Sequence, residues 1–295
     1  MATTPAGISD MVAAATVRRG RLADALRRHP TAIAGAFLLA VVVLMAVFAP
    51  LLFTVDPQAL SPIRRLRPPS EQYWFGTDMM GRDVYSRVVY GARVSLMVGL
   101  SVAVLSVLIG LVIGLVTGYV RIADAVVMRV MDGLMSIPPV LLAIALMALT
   151  RASLENVIFA ITLSEVPRVT RLVRSVVLSL REQPFVEAAV ATGTSFWRTL
   201  IRHILPNTVA PLLVQGTYIC ASAMITEAIL SFIGAGTPPN IPSWGNIMAE
   251  ARSVFQTKPY IVLFPGLFLS LTVLAVNLLG DGLRDALDPR LARRM

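Results

Sequence analysis

The chain has 295 residues, 56% of them hydrophobic and only 15% charged, with a mean hydropathy of +0.74. So little polar side chain cannot wrap a water-soluble globule of this length, so the composition excludes an ordinary soluble domain and points to a membrane. The formal net charge of +9 would suit nucleic acid in a soluble protein, but here the arginines gather beside apolar runs, where they set orientation, and no nucleic-acid partner is expected.

Residues 1–30 read as a basic, Ala-rich tail carrying Arg18, Arg19, Arg21, Arg27 and Arg28, helical over 19–28 along the membrane surface. The first apolar run, Thr31 to Val55, is longer than the core of a signal peptide and reads as a retained anchor. Residues 31–93 are expected to hold this first transmembrane helix and an extracytoplasmic loop. Pro57, Pro62, Pro68 and Pro69 argue against long regular structure at the loop's start. The loop ends in FGTDMMGRDVYSRVVYGARVS, where Val84, Arg87, Val88 and Gly91 share a helical face, predicting a short amphipathic helix at the outer interface.

The second run, Val94 to Val120, carries Gly110, Gly114 and Gly118 at the spacing of close helix contact, read as packing inside one subunit. Gly133 to Thr150 is the third run, with Pro138 and Pro139 expected to kink or end a turn near its start. Leu154 to Val173 is weaker, interrupted by Glu155, Glu165, Pro167 and Arg168, with Glu165 read as a structural partner of Arg168. Thr208 to Thr226 and Ile261 to Gly280 complete the set, each strong run being near the roughly 20 residues that cross the hydrocarbon. Arg284, Arg290, Arg293 and Arg294 follow the last run, so both tails are assigned to the cytoplasm. Arg64, Arg65 and Arg67 in the outer loop run against this bias. Two cytoplasmic tails need an even number of crossings, which makes the weak stretch the fourth of six. The fold class is all-α: a polytopic membrane protein with six transmembrane helices. A turn-rich outer connector is expected over Ser231 to Lys258.

Between spans four and five lies FVEAAVATGTSFWRTLIRHILPN, Phe185 to Asn207, which parity of crossings places in the cytoplasm. Pro184 at a helix start and the alanines predict a slim helix over Pro184 to Thr192, ended by Gly193. A second helix follows, with Phe196, Trp197, Leu200, Ile201 and Ile204 on one face and Arg198, Thr199, Arg202 and His203 on the other, stopped by Pro206.

No catalytic constellation stands out. His29 and His203 lie far apart without ligand spacing, so no metal is expected; Cys220 is the sole cysteine, so neither is a disulfide. Neither a nucleophile elbow nor a Gly-rich phosphate loop occurs, so no cofactor is expected and any ATP is bound elsewhere. Glu227, at the end of an apolar run before AILSFIGAG, is a candidate gate or pathway residue, the alternative being a place at the outer interface.

The pattern E-A-A, three residues, G, then L-P resembles the coupling loop of binding-protein-dependent ABC importer permeases, and Glu187, Ala188, Ala189, Gly193, Leu205 and Pro206 fall on it in order. Three further stretches resemble the C-type permease of the dipeptide, oligopeptide and nickel importers: FGTDMMGRDVYSRVVYGARVSL from Phe75, EAILSFIGAG with PSWG from Glu227, and NLLGDGLRDALDPR from Asn277. The resemblance implies a type I permease fold, with a five-helix core over 94–283, a coupling loop over 176–207 and a cytoplasmic tail over 284–295. It implies a permease subunit, without enzyme activity, of an ATP-driven importer in the bacterial cytoplasmic membrane. Its partners would be a homologous second permease in a heterodimer, two ATPase subunits and an extracytoplasmic substrate-binding protein. Dipeptides or oligopeptides are the implied cargo, with nickel chelates, glutathione or haem as alternatives in the same group. Thr194, Ser195 and Phe196 stand where relatives often carry charge, which leaves the choice of ATPase open. An ion-coupled secondary transporter is the alternative from another class; it needs midplane coupling carboxylates and often inverted repeats, and neither is evident. A membrane-embedded enzyme would need convergent nucleophile, base or metal ligands, which the motifs do not supply.

Overall fold

The computed structural model describes residues 30–287; the expected basic tail, its helix over 19–28, and all but the first four residues of the C-terminal tail lie outside them. The described chain is nearly all helix. The main helices are α1 (Pro30–Val47), α2 (Val84–Tyr119), α3 (Arg121–Met135), α4 (Pro139–Leu149) and α5 (Leu154–Arg181). Then come α6 (Pro184–Ala191), α7 (Phe196–Thr199), α8 (Leu205–Ile233), α9 (Trp244–Glu250) and α10 (Tyr260–Leu287). Four helical stretches are long and apolar enough to cross a membrane: α1, α2, α7 continued through α8, and α10. The α3 and α4 pair makes a fifth only if its two parts count as one span. α5 has the length of a crossing at 28 residues but carries six charges, so six passes are reached only by including it.

Helix ends differ from the apolar runs for local reasons. α1 stops at Val47, eight residues short of the expected Val55, because Pro50 follows and the chain turns through a 3-10 segment, Ala49–Leu51. Arg93 then closes that end, its Nε donating to the carbonyl of Ala46 (2.5 Å) and an Nη to that of Val47 (3.0 Å). α2 begins at Val84, ten residues before the apolar run, where Asp83 caps it by accepting from the backbone N–H of Ser86 (2.8 Å). The expected interfacial helix around Val84 to Gly91 is therefore the first turns of a 36-residue helix, and its shared face is buried in protein. The third run is likewise not one helix. Ser136 to Pro138 break it, and α3 and α4 meet at 90°, since Pro138 and Pro139 cannot extend the ladder.

α2 is the central helix, with α5 on one side and α8 on another, while α10 packs on α8 and α1. Gly110, Gly114 and Gly118 lie against Val169, Val173 and Val177 of α5, which is the packing inside one chain that their spacing predicted. A Cβ on Gly114 would stand 2.6 Å from that of Val173. One apolar core joins α2, α4, α5 and α8; a second, toward the N-terminal end of α2, is built around Trp244, Val84, Val88, Ile247 and Ile261. Phe75 stacks on Phe264 beside it, ring centres 3.9 Å apart.

Candidate functional site

The segment 184–206 forms a distinct surface at the end of the molecule where α2 and α5 finish. Pro184 opens α6, and Val186 and Ala189 turn inward. Glu187, Ala188 and Gly193 are exposed. Gly193 adopts φ +80, with its N–H on the carbonyl of Val190 (2.9 Å) and the N–H of Thr194 on that of Ala189 (3.1 Å). This pair of bonds is a Schellman turn, which places the glycine in the left-handed region. Nothing lies within 4 Å of where its Cβ would be, so the residue serves the backbone rather than packing. Beyond the turn, Phe196 meets Tyr119 at the end of α2 edge to face, ring centres 5.0 Å apart. Tyr119, Arg181, Glu182, Val186, Glu187 and Val190 line a cleft beside α6.

Two expectations for this segment need correction. Leu200 and Ile204 are buried as predicted, but Trp197 and Ile201 are exposed: the apolar face is wider than the groove between α2 and α5 that receives it. Pro206 does not stop the helix. Leu200–Ile204 winds as a π-helix, the N–H of Leu205 reaches the carbonyl of Leu200, and α8 runs on from there. The wider turn accommodates the proline's missing donor at the first positions of α8, where an N–H has least use. Leu205 is half-buried and Pro206 exposed.

Glu227 stands 21 residues further along α8, about 32 Å away at the helical rise. It lines no open path and does not reach the outer surface, being 0% exposed. Ser231 Oγ donates to its Oε1 (2.8 Å) and Thr237 Oγ1 lies 3.4 Å from the same oxygen. Asn246 extends the cluster, its Nδ2 donating to Thr237 Oγ1 (2.9 Å) and to the carbonyls of Pro238 and Ile241 (3.0 Å each). The turn-rich connector after α8 is thus pinned by buried polar groups, and it contains a buried helix, α9, capped by Ser243. Midway along α5, Glu165 is buried and Arg168 Nη1 lies 3.1 Å from its Oε2; Ser222 Oγ donates to Oε1 at 3.4 Å.

The sequence reading missed an ion cluster at the far end. Asp78 accepts from Arg82 Nε (2.7 Å) and Arg87 Nη1 (2.6 Å), while Arg87 also grips Glu250 of α9 through both Nη atoms (2.5 and 3.1 Å). Arg82 pairs with Glu250 as well. The other Asp78 oxygen accepts from the backbone N–H groups of Met80 and Arg82, folding the chain tightly around Gly81. At φ +76, and with the carbonyl oxygen of Ser61 only 1.9 Å from where a Cβ would stand, no larger residue fits at Gly81. Trp244 Nε1 donates to the carbonyl of Val88 (3.0 Å) and its ring lies over Gly91. The GTDMMGRD and PSWG stretches are therefore two halves of one clasp. The available signal was five charges, Asp78, Arg82, Asp83, Arg87 and Arg93, directly before an apolar run, more than one lipid-facing helix tolerates.

Residues 88–293 match the family described as binding-protein-dependent transport system inner membrane component, and residues 20–69 match the N-terminal TM domain of oligopeptide transport permease C. A probable peptide ABC transporter permease protein of Sinorhizobium fredii is 56% identical over 268 residues, covering 91% of this chain and 92% of that one. The dipeptide transport system permease protein DppC of Alkalihalophilus pseudofirmus is 43% identical (90% and 88% covered), and the glutathione transport system permease protein GsiD of Pectobacterium atrosepticum is 40% identical (90% and 89%). Among solved structures, the inward-facing MetNI methionine ABC transporter shares the fold with a TM-score of 0.50 at 22% identity, over 66% of this chain and 95% of that one.

Proposed function

Since this chain belongs to the inner membrane components of binding-protein-dependent transport systems, as a C-type permease of the peptide group, we propose that it forms half of the channel of an ATP-driven importer of dipeptides or oligopeptides. The exposed α6, Gly193 turn and α7 carry the proposal. This surface is slim, rigidly turned and lies at the end of the α2 and α5 bundle, the shape needed to enter a groove on an ATPase subunit. Glu187 sits in the first turn of α6, where the helix dipole favours a carboxylate. In this reading residues 94–283 are the permease core, 176–207 the coupling loop, and both termini are cytoplasmic in the bacterial inner membrane. ATP is hydrolysed on two separate subunits, a homologous second permease completes the channel, and an extracytoplasmic binding protein delivers cargo. Glu227 fits the gate assignment only indirectly, by fixing the loop that follows α8. A relative named for peptides at 56% identity favours peptide cargo over glutathione, whose named relatives are 40–42% identical.

The test is uptake of a labelled dipeptide into vesicles bearing the full transporter. Gly193→Pro removes the N–H that bonds Val190 and forbids positive φ, and Glu187→Arg inverts the charge facing the partner. Both are expected to reduce uptake to background with the chain at its normal membrane level. Undiminished uptake with both variants would sink the coupling assignment.

A further inference from the structure

A polar line runs down α5. Its one face carries Val169, Val173 and Val177, buried against the α2 glycines. The other carries Ser164, Arg168, Arg171 and Ser175, spaced four, three and four, so their side chains stack on one side of the helix. The side chains of Arg168 and Arg171 are 47% and 51% exposed, Ser175 is exposed and Ser164 half-buried.

The contact with α2 fixes the depth of this line. A Cβ on Gly110 would stand 2.5 Å from that of Val169, so Arg168 is level with Gly110. From there the chain runs ten residues without a charge to Val120, which caps α2, roughly 15 Å at the helical rise. That is half of a hydrocarbon core of about 30 Å. Arg168 therefore stands near mid-bilayer, where a charge facing lipid is strongly disfavoured. At the same depth the open face of α2 is wholly apolar, with Val112 63% exposed and Leu105, Leu108 and Ile109 beside it. Lipid suits that face and not the α5 line.

Both arginines already have counter-ions within the chain. Arg168 has Glu165 at 3.1 Å, and Arg171 Nη2 donates to Asp132 of α3 at 2.6 Å. No charge from a second subunit is needed, yet about half of each arginine side chain stays open, and a guanidinium at this depth requires water or a polar ligand.

We propose that Ser164, Arg168, Arg171 and Ser175 form the wetted wall of the translocation path in this subunit and supply its polar contacts to the peptide in transit. The guanidinium donors suit a peptide's carbonyl and carboxylate oxygens, and the resident carboxylates keep the wall near neutral, so cargo passes without being trapped. The cargo part rests on the importer reading above; the wetted wall does not.

The experiment uses the assembled transporter in membrane vesicles, with Cys220→Ala removing the sole native cysteine. Ser164→Cys, Ser175→Cys and Val112→Cys are each exposed to a charged, membrane-impermeant methanethiosulfonate. Serine to cysteine is nearly isosteric, so folding is spared. The two stripe positions are expected to label about tenfold faster or more than Val112→Cys, because the reactive thiolate needs water, and labelling at Ser164→Cys is expected to block dipeptide uptake. Equally slow labelling at all three positions in vesicles that still import dipeptide would overturn the wall. Spontaneous cross-linking of Ser164→Cys to the second permease would overturn it in favour of a subunit interface. Fast labelling at both stripe cysteines, together with a wild-type complex that imports no dipeptide, would remove the cargo and leave the wall standing.

Discussion

Arg87 is buried as thoroughly as the valines beside it, and the fold tolerates this because Asp78 and both oxygens of Glu250 meet its guanidinium. A buried pair adds little net stability over an apolar substitute, but removing one member strands the rest. Arg87→Met is expected to destabilise this clasp by about 3–5 kcal/mol, read as a lower unfolding temperature of the detergent-purified complex; an unchanged temperature would refute the clasp. The residue's helical face was legible from spacing, its partner was not, since Glu250 lies 163 residues away. Gly193 shows the opposite case. Its turn is local, set by a missing Cβ and two backbone bonds, and sequence alone located it. Trp197 and Ile201 lie between these extremes: their periodicity declared an apolar face, but only the width of the groove beneath decided that they stay uncovered.

Among elements, the α2 and α5 pair has the closest backbone approach argued from spacing. Gly114→Leu is expected to force the helices apart, since the first added atom would meet Val173 and, at 2.9 Å, the carbonyl of Thr170, and backbone cannot yield as a side chain does. Overpacking of this kind costs about 1–3 kcal/mol or more. Gly133→Ala is the control, for nothing lies within 4 Å of its Cβ position. Membrane levels and thermal stability of the two variants should separate clearly, and equal behaviour would contradict the packing. Hydropathy found where apolar helix exists but not where helix begins or ends. Asp83 starts α2 by capping, Pro50 follows the end of α1, and the π-turn carries α8 past Pro206, each a hydrogen-bonding matter that an average over apolarity does not register.

In the proposed importer the whole molecule is one subunit's worth of channel. Purification of the tagged chain in mild detergent is expected to recover a second permease, an ATPase and a peptide-binding protein, identified by mass spectrometry; recovery without any ATPase would contradict the assembly. The sequence by itself determined the membrane setting, the apolar crossings, the slim helix with its glycine turn, and through its motifs the family. Those properties are written in composition and in spacings shorter than a helix. The tertiary structure alone decided which charges are enclosed and which stay open: Glu227 among hydroxyls, Arg87 beneath α9, Arg168 half open on α5. A polar side chain's cost depends on what stands opposite it, and in this chain what stands opposite comes from helices that approach only once the bundle has closed.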